Sequence, residues 1–323
     1  MTVKRLLAFL GAVALIVGAV FLRDALDNRS SDATDTTNKP AGRTVTVVCS
    51  TEFRAFCDQL DTKKFIVTVE PAGATLDRLS ASGAVAPDAW ITLDPFPGMT
   101  DVLRDVDTLA PLSPDVVAVA ADVPELAVTA TRSDTLALGC SGRSVWNCIG
   151  GAAGLQWSTL SADATSGPVL PGITDPATEA FGLVSFANAV GGYFSNPALD
   201  TSSWTDAGFR AWMRTVSAGV RVTVPGTTPL DTMLVRKTEV NIAATTKTQT
   251  DASTRSNEFT VVPLDPAIPV VAVVATFADG GNDVVGPITS LLRAGGWSAA
   301  SDPKPQLPAG TFVALRRLWE ESN

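Results

Sequence analysis

Short apolar runs rich in β-branched residues alternate with longer mixed stretches between residues 44 and 99. This pattern predicts strand, helix, strand, helix, strand, with strands at 44–49, 65–69 and 89–93, each too short for a buried helix. We expect these to be parallel strands of one sheet. Each strand-to-helix junction offers hydroxyls or bare backbone: Ser50 and Thr51 after the first, Gly73, Ala74 and Thr75 after the second, Asp94 before Pro95 after the third. Open α/β sheets bind ligands at that edge.

The second half continues in the same style. Two β-rich stretches between 124 and 139 are expected to carry the chain out of a first lobe. Asp175 and Pro176 suit a helix start, with Asp as cap and Pro in the first turn, and that helix is expected to run to about Val190 and end at Gly191 and Gly192. Further helices are expected at 206–216, 232–235, 283–293 and 311–321, and strands at 221–224, 240–246, 259–262 and 269–274, the last two returning to the first lobe. The expected division is a terminal segment at 1–27, a polar linker at 28–42, lobe 1 at 43–131 and 258–323, and lobe 2 at 132–257.

Lys4 and Arg5 precede an apolar run at 6–22, at the short end for a membrane span. Basic residues before the run place the N-terminus in the cytoplasm and the bulk outside. Arg23 and Asp24 follow directly, with no small-residue cleavage pattern, so the expectation is an uncleaved single-pass anchor with an extracellular domain on a polar tether. A cleaved signal segment is the alternative. Four cysteines in an exported chain suggest disulfides. The equal spacing of Cys49 from Cys57 and of Cys140 from Cys148 favours two local bridges among the three pairings available.

With 323 residues and 46% hydrophobic positions, the chain can bury a large core and divide into two lobes. A formal net charge of -9 argues against nucleic acid as a partner. There is no histidine, which removes histidine triads and imidazole metal sites, and neither a nucleophile elbow, a phosphate loop nor a paired zinc motif is present. No enzyme activity, cofactor or metal is therefore expected.

Taken in order, these blocks resemble the type II extracellular solute-binding proteins, in particular the molybdate- and sulfate-like branch of ABC-transporter receptors. The likeness is carried by Val48-Cys49-Ser50-Thr51, Pro71-Ala72-Gly73-Ala74-Thr75, Ala86-Pro87-Asp88-Ala89-Trp90, the stretch from Trp157 to Gly182, and a late small-residue strand from Glu239 to Thr246. It implies an α/β architecture of two lobes joined by a hinge of crossing strands, closing on a small ligand that is passed to an ABC permease or another envelope protein. The sequence departs from the pattern at Ala74, where a second serine is expected, and at Thr245, Thr246 and Lys247, where oxyanion receptors often carry a tyrosine.

The implied ligand site comprises Ser50, Thr51, Gly73, Ala74, Thr75, Asp94, Asp175, Thr178, Thr245 and Thr246. Helix N-termini at Ser50 and Thr51, at Gly73 to Thr75 and at Asp175 to Thr178 are expected to converge there, offering free amides that suit an oxyanion. Glu52, Asp77 and Glu179 in the same turns already complement the helix dipoles and leave room for a neutral or cationic ligand. Two other readings stand beside this one: a scaffold with an empty cleft that binds an envelope protein, and a glycan hydrolase using Asp94 with Asp175.

Overall fold

The computed structural model describes residues 44–162, 166–300 and 307–323. The expected membrane segment and polar linker lie outside these residues. Among the described residues, no helix is long and apolar enough to cross a membrane.

Among the described residues, ten strands form two five-stranded sheets. The first has the order β2-β1-β3-β10-β4. Its members are β1 (Val45–Ser50), β2 (Phe65–Glu70), β3 (Ala89–Leu93), β4 (Asp115–Asp122) and β10 (Val270–Thr276). As expected, β1 runs parallel to both β2 and β3. Antiparallel β10 lies between β3 and β4. Every residue of β3 and β10 is buried, which explains why both read as unbroken apolar runs rather than alternating ones.

The second sheet has the order β7-β6-β8-β5-β9. It contains β5 (Pro124–Thr129), β6 (Pro171–Ile173), β7 (Arg221–Val222), β8 (Ile242–Thr246) and β9 (Phe259–Pro263). The chain thus changes sheet at Val123, and again over residues 264–269. This differs from the expected boundaries at 131 and 258, because β5 and β9 pair with each other in the second sheet rather than the first.

Three further expectations change. The second β-rich stretch after Pro124 is the Ser133–Gly139 helix; β5 already has a neighbour on each side, β8 and β9, so no edge beside it is open. The helix expected from Asp175 begins at Ala180. Asp175 instead builds a turn, its carboxylate accepting from the Ala177 amide at 3.0 Å and its carbonyl from the Glu179 amide at 2.8 Å. That helix runs through Gly191 and Gly192 to Phe194. A Cβ on Gly192 would lie 2.7 Å from the Cβ of Trp146, so this glycine allows helix packing and does not end the helix. The end comes at Ser195, in the left-handed region with φ 50°.

The Ala180–Phe194 helix is buried on nearly all sides, as expected of a helix apolar all round. Its one amide side chain, buried Asn188, accepts from the Ile268 amide at 2.7 Å and donates to the Ile268 carbonyl at 3.0 Å. It thereby fixes the second crossing segment to the core. Both local disulfides are present, Cys49–Cys57 and Cys140–Cys148. The first ties the end of β1 to the short Arg54–Cys57 helix beside the cleft.

Candidate functional site

The carboxyl ends of β1 and β3 in the first sheet face those of β6 and β8 in the second across a cavity of about 380 Å³. From the first sheet come Thr51, Glu52, Phe53 and Arg54 after β1, and Leu93 at the end of β3. From the second come Thr174 after β6, Thr246 at the end of β8, Gln249, and the turn 226–229. Val270 and Trp297 close one side. The volume falls in the range of small-molecule pockets, which are mostly apolar with a few polar groups.

Local sequence explains these placements. Thr51 to Phe53 form a tight 3-10 turn directly after β1, so Glu52 leaves the sheet edge towards the second half. Thr246 caps the Lys247–Ala252 helix, accepting from the Gln249 amide at 3.4 Å. In the turn, Thr228 caps the Pro229–Val235 helix, whose first residue is a proline.

Two carboxyl groups dominate the electrostatics. Glu52 accepts from the Phe181 amide at 2.9 Å through Oε1, and Glu179 accepts from the Thr51 hydroxyl through Oε2. Each half therefore reaches into the other through a glutamate. Burial first, and the neighbouring Glu179 second, push the Glu52 carboxyl up to about 7. Burial also raises Glu179, reinforced by the charge of Asp175 and opposed by the Thr51 hydroxyl. Glu52 Oε2, Glu179 Oε1 and Thr174 Oγ1 are buried with no hydrogen-bond partner among the described residues.

Of the ten positions expected to hold ligand, Thr51 and Thr246 line the cavity. Ser50 is fully buried and donates to Thr92 at 2.9 Å, a core contact between β1 and β3. Thr245 is buried and donates to Gln249 at 2.9 Å. Thr75 donates to Glu70 at 2.7 Å, and Ala74 is exposed. Gly73 and Thr178 meet directly, the Gly73 amide donating to the Thr178 carbonyl at 2.8 Å. Of the three helix ends expected to converge on a ligand, the one at Gly73 is thus taken by the Thr178 carbonyl, and the one at Asp175 to Thr178 is a turn rather than a helix start.

Asp175 accepts from Ala177, Thr178 and the Trp319 indole, whereas Asp94 faces a separate void of about 20 Å³ beside Val184, Ile268 and Phe312. The structure does not gather them into one catalytic cleft. Thr174, the 226–229 turn, Gln249 and Trp297 were not anticipated. The only signal for any of them was the Pro-Gly-Thr-Thr-Pro run at 225–229, which reads as a turn following a strand.

No protein-family profile matches the chain, and no curated protein matches its sequence. Solved structures do match. The ferric binding protein from Campylobacter jejuni has a TM-score of 0.53 at 11% identity, covering 87% of this chain and 99% of that one. The apo ferric ion-binding protein A of Pasteurella haemolytica gives 0.51 at 10%, covering 87% and 98%. The Trichodesmium protein IdiA (FutA), in complex with iron and citrate, gives 0.50 at 9%, covering 87% and 99%. At these identities the likeness shows the fold alone, a two-sheet α/β architecture that this chain shares with those proteins.

Proposed function

We propose that this chain is an extracellular solute-binding domain, anchored by its N-terminal apolar segment, that captures a small ligand between its two halves without covalent chemistry. One observation carries the reading: a cavity of about 380 Å³ lies between the carboxyl edges of two sheets that the backbone joins by crossing segments. That is the geometry in which hinge closure buries a ligand. The fold shared with ferric-binding proteins supports it, and the basic residues ahead of the apolar run at 6–22 support the anchor and the external location. An ABC permease or a membrane sensor is the proposed partner.

The molybdate or sulfate specificity implied by sequence resemblance is not part of the proposal. Among the described residues, Glu52, Glu179 and Asp58 border the cavity against one cation, Arg54, and a helix end expected to hold an oxyanion is taken by the Thr178 carbonyl. The test is thermal unfolding of the full chain in mild detergent against oxyanions, sugars, amino acids and polyamines. A ligand at a hundred times its Kd adds about 2.7 kcal/mol, a shift of roughly 5–10 °C for a domain of this size. A selective shift supports capture, and none across the panel counts against it.

The seal between Gly73 and Thr178 favours one second reading, a scaffold that engages an envelope protein with its cleft unoccupied. Under it, a partner is retained in pull-down whether or not solute is present.

A further inference from the structure

Six buried side-chain nitrogen or oxygen atoms lack a hydrogen-bond partner among the described residues. Three are indole nitrogens, of Trp146, Trp157 and Trp204. The other three are oxygens, and all belong to residues lining the cleft: Glu52 Oε2, Thr174 Oγ1 and Glu179 Oε1. Glu179 is only 3% exposed. Native proteins rarely leave a buried acceptor unpaired, and such a group calls for an explanation. Here the three residues that carry the unpaired oxygens come from both halves and line one cavity. No ion pair joins either glutamate to a cation among the described residues.

We infer that the cleft takes a small organic cation whose N–H groups are shared between Glu52 from one half and Glu179 from the other. This rests on the solute-binding reading above and names the ligand class of the same site. An ammonium carries three donors and a guanidinium five, and neither accepts, which matches a set of carboxylate and hydroxyl oxygens. Such charge-assisted hydrogen bonds are the stronger kind. The remaining lining separates an organic cation from a bare metal ion. Phe53, Leu93, Phe181, Pro229 and Trp297 line the cavity with apolar side chains, of which half-buried Trp297 is the most accessible to an alkyl stem. A hard metal ion instead requires six or more oxygen ligands, and no cluster of three or more acidic, cysteine or histidine ligands exists among the described residues. Because each glutamate belongs to a different half, one cation bridging them draws the halves together.

Calorimetry and thermal unfolding of the full chain in detergent at pH 8 test this with spermidine, L-arginine, glucose, sulfate and magnesium. Spermidine or arginine is expected to bind and to raise the unfolding midpoint by several degrees at saturation. Glu52→Gln and Glu179→Gln, which keep the shape and the accepting carbonyl, are each expected to weaken that binding at least about tenfold, with an unchanged circular dichroism spectrum. Binding of glucose, sulfate or magnesium with no response to either amine overturns the inference and leaves solute capture standing. Equal amine affinity in both variants also overturns it. Silence across all five probes overturns the inference and counts against solute capture as well.

Discussion

The amide of Gly73 donates to the carbonyl of Thr178 at 2.8 Å, and a Cβ on Gly73 would lie 2.6 Å from the Ala177 carbonyl oxygen and 2.9 Å from the Thr178 Cα. Both obstructing groups are backbone, so no rotamer change relieves the clash. Gly73→Ala is therefore predicted to destabilise the fold by about 1–3 kcal/mol despite the better helix propensity of alanine. Gly286→Ala is the control. It also lies in a helix, with no heavy atom near the added Cβ, and is expected to be neutral or to stabilise by up to about 1 kcal/mol. Urea unfolding of both variants checks the contrast; equal effects would mean the seal at Gly73 does not form.

The same turn is held from its other side by the C-terminal helix. Arg316, with a side chain 14% exposed, donates to the Ala177 carbonyl at 2.9 Å and to Asp77 at 2.6 and 3.1 Å. Removing a guanidinium leaves the Ala177 carbonyl short of a donor, which costs about 1–3 kcal/mol. Arg316→Ala is predicted to lose that much stability and to speed hydrogen exchange at the Gly73 amide, because the turn that accepts from it loosens. Arg316→Lys keeps the charge without the planar fork and should recover only part of both effects. Unchanged exchange at Gly73 would count against this coupling.

The two disulfides each close a separation of eight residues. Chain-entropy reasoning assigns roughly 2.5 kcal/mol to a loop of that size. Cys140→Ser with Cys148→Ser is expected to lower the unfolding midpoint by about 5–10 °C. Loss of the Cys49–Cys57 bridge, whose cysteines flank Thr51, Glu52 and Phe53, is expected to cost similar stability and to weaken ligand binding in addition. Scanning calorimetry with ligand titration separates the two; equal ligand affinity in both double variants would remove Cys49–Cys57 from any part in shaping the cleft.

The first sheet was legible because β1, β2 and β3 are short β-branched runs separated by helices, a local pattern that forces parallel pairing. Sheet membership of β5 and β9 was not legible. β5 is a buried apolar run that reads the same in either sheet, β9 is short and largely exposed, and pairing Leu126 with Val262 is a long-range choice that no local residue records. The Ala180–Phe194 helix was misplaced for a related reason: buried on nearly every side, it has no polar stripe to mark its limits, and its internal glycines resemble terminators. Thr51 and Thr246 line the cavity because each stands at a strand end, a position that the local pattern does mark. Glu52 and Glu179 were noticed only as acidic first-turn residues. Their meeting depends on how the two halves pack, with Thr51 reaching across to Glu179 over most of one lobe's length of chain.

That meeting has a consequence for stability against pH. The folded protein holds the Glu52 carboxyl up to about 7, while an unfolded chain titrates it near the ordinary glutamate value, about 4.3. Below that value both states are protonated, and the favourable contribution is fully present. As pH rises from about 4.3 to 7, the unfolded chain releases its proton first, so stability falls, by on the order of 3 kcal/mol once the folded carboxyl has ionised. Glu179, also raised by burial, acts in the same direction. Glu52→Gln removes the ionisation, so it should match the parent near pH 4.5 and exceed it in stability at pH 8, with a flatter profile between. Urea unfolding at half-unit pH intervals in the absence of ligand reads this directly. A parent whose stability climbs between pH 5 and 8, or a Glu52→Gln profile parallel to it, would mean that the folded protein does not hold the Glu52 carboxyl buried and raised.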